Sequence, residues 1–123
     1  MAVKLSSRQQ AQLAFLDAQV PKIQRIHALI EKLTSPSEAD YAGRSMVRML
    51  DELKSGASGL SLTGVAATAS VMSSLARRTG STQTRLRGLR EGLAGLKINC
   101  DGARKTASKP EADKDPPPDS AIP

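Results

Sequence analysis

The chain has 123 residues, 18 Lys and Arg against 12 Asp and Glu, a formal net charge of +6 and only 2% aromatic residues. That length fits one domain around one small core. Phe15 and Tyr41 are the only aromatic side chains, whereas Leu, Ala, Ser and Met are plentiful, a balance that suits packed helices and disfavours a sheet. A single cysteine, Cys100, excludes an intrachain disulfide, and no His/Cys cluster has the spacing of a metal site, so no metal and no cofactor are expected.

The first ten residues, Met1 to Gln10, lack the apolar core of a secretory leader, and no apolar run approaches membrane-spanning length. The expectation is a soluble, cytoplasmic protein with no membrane partner. A first helix is predicted from about Ser6 through Ala18, with Leu13, Leu16 and Val20 at helical spacing. Pro21 then predicts a kink or a fresh first turn, because its ring removes a donor and clashes inside a helix. Lys22 to Leu33 follows with Ile23, Ile26, Ile30 and Leu33 on one stripe and Lys22, Arg25, Glu31 and Lys32 on the other.

Ser35-Pro36-Ser37-Glu38 has the pattern of an N-cap, an N1 proline and a capping-box acid, so a long helix is expected to start there. Its apolar positions are Met46, Met49, Leu50, Leu53, Ala57 and Leu60, ending where Gly59 and Ser61 break the period. Arg44, Arg48, Asp51, Ser55 and Ser58 fall on the opposite face, which predicts an exposed Asp51 able to pair with Arg48 or Lys54 one turn away.

The next helix, about Leu62 to Arg78, is dense in small residues that allow close approach, with Val65, Met72 and Leu75 supplying burial. Arg77, Arg78 and Gly80 read as its C-terminal signals. The last helix, about Gln83 to Ala103, carries a seam of Leu86, Leu89, Leu93, Leu96 and Cys100. From Lys105 onward nothing is periodic and proline is frequent, which predicts disorder. The resulting division is a helical bundle over residues 1–104 and a tail over 105–123.

The segment Asp51-Glu52-Leu53-Lys54-Ser55-Gly56-Ala57-Ser58-Gly59-Leu60 resembles the signature of histidine-containing phosphotransfer domains, His-x-Leu-Lys-Gly-Ser-Ala-x-x-Leu. That resemblance implies an all-α, antiparallel four-helix bundle, here with a short N-terminal helical extension. In the family, the exposed His accepts a phosphoryl group from a receiver domain, a basic residue steadies the phosphate charge, and small residues admit the receiver's loops. Lys54 matches the basic position, Ser55 and Ser58 match small ones, and Asp51 replaces the acceptor. The chain therefore resembles a phosphotransfer domain unable to react at the usual site, and no enzymatic activity is expected.

The partner that the resemblance implies is a response-regulator receiver domain or a sensor histidine kinase of bacterial two-component signalling. Arg44, Arg48, Asp51, Lys54, Ser55 and Ser58 would form the docking face, so that the protein sequesters, scaffolds or inhibits its partner. A bland alternative is a solvated helix face, the usual fate of surface charge. The sole histidine, His27, is the other conceivable acceptor; no Lys and small-residue run follows it, and a half-buried structural histidine is the more ordinary reading.

The tail from Lys105 holds three Lys and four acids, so the positive excess lies wholly before it. Arg85, Arg87, Arg90 and Lys97 make the last helix basic, which would hasten encounter with an acidic partner. The rival reading is a nucleic-acid-binding helical module, for which such a patch is the electrostatic footprint. The lack of aromatic side chains for stacking and of a recognition-helix module weighs against it.

Overall fold

A computed structural model describes residues 5–78 and 82–109. Four helices follow one another: α1 Ser7–Lys32, α2 Ala39–Gly59, α3 Thr63–Arg77 and α4 Thr82–Ala107. Each packs on the next, and α4 returns to α1, leaving α1/α3 and α2/α4 as diagonals. Tertiary pairs run antiparallel throughout: Gln12 reaches Leu60, Asp51 meets Ser73, Asn99 meets Thr68 and Arg90 meets Glu31. The described residues thus form an antiparallel four-helix bundle with short connections.

α1 opens with a capping box in which the Ser6 hydroxyl accepts from the Gln9 amide at 3.0 Å and the Gln9 side chain accepts from the Ser6 amide at 2.9 Å. The break expected at Pro21 does not occur: α1 is one helix of 26 residues with Pro21 in its interior. Leu16 and Gln19 before it and Ile23 and Ile26 after it are all buried, so packing on both sides offsets the lost hydrogen bond. The N-terminal extension is therefore the first half of α1 itself.

The α2 start also differs from expectation. Ser35 does not cap it; its carbonyl accepts from the Glu38 and Ala39 amides, and α2 begins at Ala39 with no side-chain cap. At the other end the chain reverses by a Schellman-type pairing, with Leu62 N–H donating to Ala57 O at 2.8 Å and Ser61 N–H to Ser58 O at 3.1 Å. Ser61 occupies the left-handed position that usually selects glycine, with φ of 60°.

The core draws on all four helices, with Ile26, Ile30, Met46, Leu50, Val65, Met72, Leu89 and Leu96 fully enclosed. α3 and α4 approach closely at Gly92, where a Cβ would stand only 2.6 Å from Met72 Cγ. α4 runs past the predicted boundary at Lys105: residues through Ala107 are helical, Ala107 is buried, and the Gln9 side-chain amide donates to the Lys109 carbonyl. The fold absorbs the first residues of the expected tail, and the rest of that tail lies outside the described residues, as does Gly80. Among the described residues no helix is long and apolar enough to cross a membrane.

Candidate functional site

α2 carries the segment singled out in the sequence, and its helical phase decides what each residue can meet. Leu50, Leu53 and Ala57 are buried, which turns Arg44, Arg48, Lys54, Ser55 and Ser58 to solvent. Asp51 sits at the edge between these faces. Its side chain is 41% exposed rather than freely solvated, because it leans onto α3.

The partners of Asp51 are not its neighbours one turn away on α2. The Ser73 hydroxyl donates to Oδ1 at 2.7 Å, and the Arg77 guanidinium donates to Oδ2. The carboxylate thereby ties the middle of α2 to the last turn of α3. Arg48 and Lys54 stay exposed and leave the carboxylate to Arg77. Helical spacing could not have revealed Ser73 and Arg77, since they lie 22 and 26 residues away. Arg77 had a sufficient local explanation as a cation at a helix C-terminus.

The small-residue run divides by face. A Cβ on Gly56 would fall 2.4 Å from the Phe15 ring, so this glycine exists in the bundle to admit α1. Ala57 is fully buried, whereas Gly59 has open space and Ser55 and Ser58 face solvent. Three of the run's five residues, Ser55, Ser58 and Gly59, are therefore accessible to another molecule.

The basic residues of α4 have different surroundings. Arg85 leaves the others and reaches α3, where its Nη2 donates to the Ala76 carbonyl at 3.0 Å. Arg90 makes a two-pronged pair with Glu31 of α1, Nε to Oε2 at 3.0 Å and Nη2 to Oε1 at 2.7 Å. That pair lowers the Glu31 pKa below the ordinary carboxylate range, chiefly through the hydrogen bond from Arg90. Arg104 is likewise held by Asp17, and Arg87 and Lys97 remain exposed. Of the basic stripe Arg85, Arg87, Arg90 and Lys97, only Arg90 meets an acid of the bundle among the described residues.

His27 is exposed rather than half-buried, one turn from Glu31 on α1. It lies on a helix that supplies none of Asp51's partners. Cys100 is buried in the α4 seam, and burial pushes its thiol pKa up, with the nearby Asp101 charge adding to the effect. Among the described residues, no three His, Cys, Asp or Glu side chains gather as metal ligands.

A cluster that sequence reasoning did not assemble lies at the end of the bundle where α2 and α4 begin. A cavity of about 450 Å³ opens there, lined by Asp40, Gly43, Arg44, Arg77, Arg78 and Arg85 among others. These arginines span 41 positions of sequence, and only the antiparallel order of α2, α3 and α4 brings them to one place. No protein-family model, curated protein or solved structure matches the chain.

Proposed function

We propose that the protein is a non-catalytic docking module that binds a receiver domain or the dimerisation domain of a sensor histidine kinase through the α2 face and sequesters, scaffolds or inhibits it. One observation carries the reading: on α2 of an antiparallel four-helix bundle, a carboxylate replaces the acceptor of the phosphotransfer-like segment and is anchored by Ser73 and Arg77, while Arg44, Arg48, Lys54, Ser55 and Ser58 surround it in solvent. A carboxylate lacks the nucleophilic imidazole nitrogen and repels an incoming phosphoryl anion. Its anchoring leaves a fixed, shaped surface. The exposed cations favour approach of an acidic partner surface, and the short side chains at 55 and 58 permit contact between backbones.

The test is a binding titration against panels of purified receiver domains and kinase dimerisation domains, run beside a phosphotransfer assay. Wild-type protein should bind at least one of them saturably and take up no stable phosphoryl label. Ser55→Arg should weaken that binding about tenfold, a change of about 1.4 kcal/mol, with unchanged melting. Saturable binding that Ser55→Arg leaves intact would move the interface elsewhere and sink the proposal, as would label that disappears in His27→Ala. Preferential capture of DNA or RNA with a steep salt dependence would instead favour the nucleic-acid reading.

A further inference from the structure

The arginine-lined cavity at the α2/α4 end shares Arg44 with the docking face but centres on Arg78 and Arg85, and its charge is not balanced from within. Arg44 is satisfied by Asp40 at 3.0 Å and Arg77 by Asp51. Arg85 and Arg78 form no ion pair among the described residues. The Arg85 guanidinium is half-buried and passes over buried Gly43, with Nη2 3.9 Å from where a Cβ would stand. Its Nη2 has the Ala76 carbonyl, but its Nε is sealed from solvent and has no acceptor among the described residues. The half-buried guanidinium is thus partly desolvated without a counterion among the described residues, a cost that an anion in the cavity would offset through its charge.

Backbone electrostatics add to the same field. The lining also includes the start of α2 at Ala39 and Asp40, where the helix has no side-chain cap and its dipole adds positive potential. The lining supplies one carboxylate, Asp40, against four guanidiniums. Guanidinium forks match tetrahedral oxyanions in geometry as well as charge, which a point-charge ammonium does not.

We propose that this cavity is a binding site for a phosphate group, with Arg78 and Arg85 as its principal ligands and Arg44 and Arg77 completing the cationic wall. The site does not rest on the docking reading, and its test uses no partner protein.

The experiment is a titration of the full chain with inorganic phosphate at constant ionic strength, followed by backbone amide NMR. Saturable shifts confined to residues near Ala39–Arg44, Ala76–Arg78 and Arg85 are expected. Arg85→Gln should weaken binding roughly tenfold, the scale of a lost charge-assisted bond. Arg78 is exposed, so Arg78→Gln retains the fold and should weaken binding by a comparable factor. Arg87→Gln removes the same charge from an exposed position outside the lining and should leave binding unchanged. Phenyl phosphate run in parallel separates the sources: equal affinity means that free phosphate suffices, and tighter binding means that the phosphate is the head of a larger organic ligand. Non-saturating shifts, or an equal loss in Arg87→Gln and Arg78→Gln, would reduce the effect to diffuse electrostatics and overturn the site.

Discussion

The two ends of the bundle solve the same closure problem in opposite ways. Where α1 starts and α4 finishes, neutral groups do the work: Gln9 donates to the Lys109 carbonyl, Gln12 donates to the Leu60 carbonyl at 2.8 Å, and Asn99 donates to the Thr68 hydroxyl at 2.7 Å. Where α2 and α4 start, arginines crowd a cavity, and two of them lack an acid partner among the described residues. Amide hydrogen bonds satisfy one group with another and leave no residual field. Clustered guanidiniums repel one another and raise the energy of that end until an anion arrives. The neutral end is therefore structural, and the cationic end is where a ligand would matter.

Both ends share one core, so the largest loss should come from its centre. Leu53 and Leu93 are almost completely enclosed, and Leu→Ala at either should cost roughly 2–5 kcal/mol, measured by chemical denaturation. Near-wild-type midpoints in both variants would show that the ends, not the core, hold the bundle.

At the neutral end, Gln9→Ala removes the capping-box partner of Ser6 and the donor to Lys109, and should cost about 1–2 kcal/mol. Ser61→Gly works in the other direction at the same end. It relieves a left-handed backbone and should stabilise by about 1 kcal/mol despite the greater freedom of glycine in the unfolded chain. A destabilised Ser61→Gly would mean that the serine side chain contributes something beyond its conformation.

At the cationic end the comparison predicts the opposite sign for loss of charge. Arg78→Gln should leave the melting temperature unchanged or slightly raised at low salt, and the difference from wild type should vanish at high salt as repulsion is screened. A clear loss of stability would make that end structural as well and erase the contrast.

The smallest effect concerns pH. Glu31 has a folded pKa below its unfolded value, so its pair with Arg90 stabilises the bundle above the ordinary carboxylate range and loses that contribution as pH falls through the folded pKa. Glu31 is well exposed, and the contribution is correspondingly small. Glu31→Gln should flatten the acid limb of a stability profile followed by circular dichroism, with little change near neutrality.

Helical periodicity made the seams legible. Ile23, Ile26 and Ile30 on α1, Met46, Leu50 and Leu53 on α2, and the leucines of α4 are all buried in the phase the spacing implies. The failures have physical causes. Pro21 lies inside a helix because burial on either side outweighs a local penalty that sequence alone displays in isolation. Lys105 to Ala107 are helical because Ala107 has an apolar contact surface to cover and Gln9 waits for the Lys109 carbonyl. Asp51 and the arginine cavity were not legible because their partners come from other helices, and pairing across a bundle has no local spacing. The partner of Arg90 on the α4 stripe was not legible for the same reason, since Glu31 lies on α1.

Because α1 and α4 are antiparallel neighbours, the start of α1 and the end of α4 lie side by side, with Gln9 touching Lys109. A pulling force applied to these two ends would peel rather than shear. It would load the Gln9–Lys109 contact first, then Asp17–Arg104, and only at the far end Glu31–Arg90. Each bond would carry the whole load alone in its turn. A bundle that is thermally cooperative would thus be mechanically weak along this axis, opening from its neutral end like a zipper while α2 and α3 remain paired behind it.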